Sequence, residues 1–96
     1  MARLKWLPEA IDDFERLYFF LVNKDTNAAN KAAYSILQGT DLLKDTPRIG
    51  RPMYEDDRRE LFVAFGAGAY VIRYKLETED TVVIVRVWHS KENRII

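Results

Sequence analysis

Hydrophobic and polar positions change period several times along the chain, and each change marks an element. Across residues 2–6, Leu4 and Trp6 alternate with Arg3 and Lys5, the period of a short strand. From Pro8 to about residue 24 the spacing becomes helical, with Ala10, Phe14, Leu17 and Leu21 at i, i+4, i+7 and i+11, and Ile11, Tyr18 and Val22 widening the stripe. Pro8 suits the first turn, where its missing N–H costs nothing, and Glu9, Asp12 and Asp13 complement the helix dipole. Phe19 and Phe20 cannot both join this stripe, so at least one is expected outside the core, at a rim suited to a partner.

Asp25 or Thr26 can cap a second helix running to about residue 44, with Ala29, Ala32, Ala33, Ile36, Leu37 and Leu43 in helical period. Its alanines allow close approach of the first helix, which predicts an antiparallel hairpin. Gly39 weakens this helix by about 1 kcal/mol relative to alanine. Pro47 ends the helical pattern, and residues 48–58, with Gly50, Pro52 and the acids Glu55, Asp56 and Asp57, read as an irregular charged connection.

The last third is β in character. Residues 59–65 are rich in strand formers and Gly66-Ala67-Gly68 supplies a turn. Residues 69–76 place Tyr70, Ile72, Tyr74 and Leu76 on one face and Val71, Arg73 and Lys75 on the other. After a polar turn at 77–80, residues 81–89 form a β-branched run that is apolar on both faces until Arg86, the pattern of a central strand. The expected fold is therefore α+β in the order β-α-α-β-β-β: an N-terminal strand, a helical hairpin and a three-stranded antiparallel meander, in one domain spanning 1–96.

Composition narrows the chemistry. Fifteen Lys plus Arg balance fifteen Asp plus Glu, so the overall basic excess of a phosphate-gripping domain is missing and no sequence-specific nucleic-acid binding is expected. Cysteine is absent and His89 is the one histidine, which removes disulfide frameworks, thiolate sites and multi-histidine metal sites and fits a reducing compartment. The acids at 55–57 lack the alternating ligand spacing of a calcium loop. No apolar run approaches the roughly 20 residues of a membrane span, and the start has no signal-peptide core, so a soluble cytoplasmic domain with no cofactor and no membrane partner is expected.

Four stretches carry a family resemblance: Trp6 with Pro8 and Ala10 entering the first helix, Pro47 followed by Gly50-Arg51, Arg59-Glu60-Leu61 leading into Tyr70-Val71-Ile72-Arg73-Tyr74, and Arg86-Val87-Trp88-His89 ending the last strand. In order and spacing they resemble the RelE/ParE superfamily of bacterial toxins from type II toxin–antitoxin pairs, over essentially the whole chain. RelE-like members of that superfamily cleave messenger RNA in the ribosome, whereas ParE-like members poison DNA gyrase without a recognised catalytic centre. RelE-like enzymes typically carry an arginine straight after the tyrosine of the third strand, and Val71 stands at that position here. Cleavage through a 2′-OH needs a fixed cation for the charge developing on phosphate, which valine cannot supply. With the neutral net charge, this favours the ParE-like branch.

The resemblance implies a cognate, ParD-like antitoxin in a hetero-oligomer, and DNA gyrase as target. Leu17, Phe20, Leu21 and Tyr34 are expected to contribute to the antitoxin-binding surface, and Arg86, His89, Lys91 and Arg94 to the target-binding one. The competing reading is an mRNA endonuclease with Arg73, Lys75, His89 and Arg94 as relocated catalytic groups; a third is a degenerate toxin that only binds its antitoxin. An imidazole such as His89 could act as acid or base, but local hydrogen bonding at the sheet edge is the preferred role without a phosphate-binding partner. Glu60, a possible base, sits beside Arg59 and is expected in a surface ion pair. Trp6, Trp88, Tyr70 and Tyr74 are expected to pack in the core or at its rim.

Overall fold

A computed structural model describes residues 1–54 and 56–92. The element order is β1 (Arg3–Trp6), α1 (Pro8–Val22), α2 (Thr26–Asp45), β2 (Arg51–Pro52), β3 (Arg58–Phe65), β4 (Gly68–Thr78) and β5 (Thr81–His89). The strands form one mixed sheet in the order β1-β5-β4-β3-β2. The antiparallel meander β3-β4-β5 is as the alternation predicted. β1 adds to β5 in parallel, from Arg3 opposite Thr81 to Trp6 opposite Ile84. That parallel pairing needs a crossover, and the helical hairpin provides part of it. The supposedly irregular stretch 48–58 instead contains β2, which pairs Arg51 with Glu60 and Pro52 with Arg59 on the outer edge of β3.

α1 begins with Pro8 in its first turn, and Asp25 caps α2 by accepting from the amides of Asn27 (3.0 Å) and Ala28 (3.3 Å). The hairpin buries Ala10, Leu17, Ala32, Ile36 and Leu43 against one face of the sheet, where Tyr70, Ile72, Tyr74, Val82, Ile84 and Val87 meet them. Phe19 and Phe20 both lie outside the core, and Ile11 and Leu37, expected within the apolar stripes, are substantially exposed. Gly39 has a packing role: a β-carbon there would stand 2.8 Å from Val63 Cγ2, so the bare backbone lets α2 approach β3. Trp6 packs edge-on against Phe14 at 5.9 Å, at the core rim.

Among the described residues, the opposite face of the sheet carries no helix. In register across it stand Phe62, Val71 and Trp88, and in the next row Glu60, Arg73 and Arg86. Val71 and Val83 are buried on this side too, which explains why the sequence of β5 is apolar on both faces. Among the described residues, no helix is long and apolar enough to cross a membrane.

Candidate functional site

The second half of α1 and the far ends of β3, β4 and β5 enclose a groove of about 610 Å³. α1 contributes Arg16, Leu17, Phe20 and Leu21; the sheet end contributes Phe65, Gly66, Tyr70, His89, Lys91 and Glu92. Helical spacing puts the three apolar α1 side chains on one flank, with Leu17 buried at the base and Phe20 exposed. On the other flank the rings stack in series: Phe65 against Tyr70 at 5.1 Å, and Tyr70 edge-on to His89 at 5.0 Å. Burial, with the charge of Glu92, pushes the Tyr70 hydroxyl above its ordinary pKa, so it is neutral at physiological pH.

His89 is tied down by backbone on both sides. Its Nδ1 accepts the Lys91 N–H at 3.1 Å, which assigns the proton to Nε2, and Nε2 donates to the Phe65 carbonyl at 2.9 Å. An imidazole with both nitrogens engaged this way is a strut for the β3–β5 end of the sheet. This matches the local hydrogen-bonding role preferred from sequence.

Behind the groove lies a charged hub centred on Asp13. β1 stops pairing at Ile84, so the edge of β5 beyond it would be bare. Asp13 covers that edge by accepting the Val87 N–H at 2.9 Å, while also accepting two bonds from Arg86 (2.7 and 3.0 Å) and one from Arg16 (3.2 Å). Arg16 in turn donates to the Val87 carbonyl at 3.4 Å and pairs with Glu92. Burial opposes ionisation of Asp13, but the bonds from Arg86, the Val87 amide and Arg16 outweigh it and hold the carboxyl below its ordinary value. The bonds to Asp13 hold the Arg86 guanidinium above its own ordinary value. The sequence suggested only a dipole-complementing role for Asp13; it is also a buried link between α1 and β5.

The predicted site residues separate into groups. Leu17, Phe20 and Leu21, expected to meet an antitoxin, share the groove with His89 and Lys91, expected to meet a target. Arg86 is engaged by Asp13. Tyr34 lies elsewhere, in a shallow groove of about 600 Å³ between α2 and β3 that includes Leu42, Leu61 and Phe62. Arg94 is outside the described residues.

Of the proposed nuclease set, the described members Arg73, Lys75 and His89 do not converge. Tyr70 and His89 are register partners and face α1, whereas Arg73, an odd number of residues along, faces the helix-free side. There Arg73 stacks over Trp88 at 4.9 Å and forms a forked contact with Glu60 at 3.1 and 2.8 Å. Glu60 is thus paired, but with its cross-strand partner Arg73 and not with Arg59, whose guanidinium donates to the carbonyls of Arg48 and Gly50. Lys75 stands one row further from His89, opposite Arg58. Val71 is packed between Phe62 and Trp88 in the register.

Comparison with known proteins agrees with this architecture. Residues 4–94 match the family described as "ParE toxin of type II toxin-antitoxin system, parDE". "Toxin RelE1" of Caulobacter vibrioides is 38% identical over 82 residues, covering 85% of this chain and 86% of that protein. "Toxin RelE3" of the same organism is 38% identical over 87 residues, covering 91% and 92%. A solved structure described as "Chromosomal ParDE TA system from P. aeruginosa" superposes with a TM-score of 0.73 at 21% identity, over 93% of this chain and 96% of that one. The β-α-α-β-β-β order with its small additional β2, the groove beside α1 and these matches together place the chain in the ParE/RelE superfamily, as a toxin of a type II toxin–antitoxin system.

Proposed function

We propose that this toxin acts by binding DNA gyrase, and that its cognate antitoxin neutralises it by laying an apolar segment into the groove between α1 and the end of the sheet. The observation that carries the reading is the separation of Arg73 from His89 on opposite faces of one sheet. Phosphodiester cleavage needs an acid or base and a charge-stabilising cation within reach of one phosphate. Arg73 is held by Glu60 and Trp88, His89 by two backbone groups, and a valine fills the position where RelE-like enzymes place arginine.

The groove suits an antitoxin. Its floor is Leu17, Leu21, Phe65 and Tyr70, its rim carries Lys91 and Arg16, and Lys24 covers Phe20 at 4.8 Å. Covering such apolar surface supplies the affinity that ordering a flexible segment consumes. Because His89 and Lys91 line the same groove, an antitoxin seated there also covers residues assigned to the target.

The names of the two Caulobacter relatives favour a second reading, ribosome-dependent mRNA cleavage. The deciding experiment adds toxin freed from its antitoxin to purified gyrase and, separately, to translating ribosomes. Loss of supercoiling or trapped DNA breaks, with message intact, supports the proposal. Discrete cuts within codons and unaffected gyrase overturn it. If expression without antitoxin causes no growth arrest, the chain is a degenerate binder.

A further inference from the structure

We infer that Arg16 and Glu92 form a clamp across the mouth of the groove, a positioning pair that holds its two walls at the spacing the antitoxin segment requires. The inference rests on the proposal that the antitoxin occupies this groove. Arg16 stands on α1 and Glu92 on the turn after β5, so their ion pair joins walls contributed by different elements. Neither partner is free to swing. Glu92 uses its second oxygen to accept the His89 N–H at 2.8 Å. Arg16 is held from behind by the Asp13 carboxylate and the Val87 carbonyl.

A pair anchored at both ends acts by preorganisation: the groove is at working width before the partner arrives, and less ordering is charged to binding. An ordinary exposed ion pair ties down two flexible chains for little return. Here both side chains are already fixed, Arg16 by a buried carboxylate.

The test is calorimetry of the cognate antitoxin against wild type, Arg16→Gln, Glu92→Gln and the double variant, with Phe20→Asp as a control for the groove. Glutamine at 92 retains an acceptor for the His89 amide, so the turn keeps its local bond. Each single glutamine variant is expected to weaken binding about fivefold, the upper range for a solvated pair. The double variant should lose no more than either single, and 0.5 M salt should erase the difference. Matching thermal midpoints at that salt concentration exclude misfolding as the cause.

Three results overturn the clamp. In one, the glutamine variants bind like wild type while Phe20→Asp binds poorly, so the groove is right and the clamp wrong. In another, Glu92→Gln binds more tightly while Arg16→Gln binds more weakly, meaning that an antitoxin carboxylate displaces Glu92 and the pair must open. In the third, Phe20→Asp is also silent, and the groove reading fails together with the clamp.

Discussion

Replacing Asp13 tests whether α1 is fastened to β5 through one carboxylate. Asp13→Ala removes acceptors for four hydrogen bonds, but their losses are unequal. The Arg86 and Arg16 side chains are 41% and 44% exposed, so their guanidinium groups can recruit water. The Val87 N–H faces α1 in the interior, and a buried donor left unpaired costs about 1–3 kcal/mol. Adding about 1 kcal/mol for the charge-assisted bonds, after discounting for solvent access, gives a destabilisation of about 2–4 kcal/mol. For a domain of this size each kilocalorie lowers the midpoint by about 4–8 °C, so Asp13→Ala should melt at least about 8 °C below wild type. Asp13→Asn, which can still accept from Val87, should fall between the two.

The same carboxylate imposes a pH signature. Its folded pKa lies below the value of 3.8 for a free aspartate, so the unfolded chain binds the proton more readily. The stabilisation is fully present above that unfolded value and is lost as pH falls through the folded one. Urea titrations at pH 7 and pH 3 should show the gap between wild type and Asp13→Ala narrowing at the lower pH. A melting point within 2 °C of wild type, or a gap independent of pH, would refute the fastening argument.

Other perturbations probe separate parts of the fold and site. Gly50→Ala should destabilise by about 1–3 kcal/mol through overpacking, because a β-carbon would stand 2.6 Å from the buried Tyr74 hydroxyl that accepts the Gly50 N–H; in urea melts Tyr74→Phe should not rescue it, because the ring carbon Cε1, 2.7 Å from the new β-carbon, remains and the Gly50 N–H loses its acceptor. Phe20→Asp should weaken antitoxin binding by about ten- to a hundredfold, the worth of burying one large apolar side chain, with little change in melting because Phe20 is exposed in the free toxin. Arg73→Gln should cost about 1–3 kcal/mol of stability by unpairing Glu60, since both side chains of the pair are mostly buried, although Arg51 approaches Glu60 at 4.0 Å, while leaving gyrase inhibition within twofold. Loss of toxicity beyond that of an equally destabilised control would restore Arg73 to the active machinery.

The elements were legible in sequence because local period and capping chemistry determine them: Pro8 and Asp25 mark helix starts, and alternation in residues 69–76 identifies the register face of β4. β2 was not legible, since a two-residue strand containing Pro52 has no period and exists only by pairing with β3. Of the site, Phe20 was readable as a surplus aromatic. The Asp13 hub was not, because its partners Arg86 and Val87 lie far along the chain and its own acid resembles any carboxylate early in a helix. Likewise, nothing beside Glu60 favours Arg73 over Arg59 until the strands are registered. The face assignments were the sequence's sharpest information: alternation alone sets Arg73 opposite Tyr70, and the Tyr70–His89 pairing then removes His89 from Arg73's side.

The groove and the hub also bear on how neutralisation would work on the proposed reading. A toxin whose target-facing residues were remote from its antitoxin groove would need a conformational change to be silenced, and that change would need two states with different packing. Here His89 is braced by Phe65 and Lys91, Asp13 fastens α1 to β5, and Glu92 ties the turn to α1, so side-chain bonds cross-link the walls of the groove. The simpler device is direct occlusion, with antitoxin and gyrase competing for Lys91 and the rim of α1. Competition predicts that gyrase inhibition by a fixed amount of toxin falls in strict proportion to added antitoxin, one groove filled per molecule silenced. Residual inhibition by a saturated complex would show instead that the target contacts lie outside the groove, and would redirect attention to the helix-free face around Trp88.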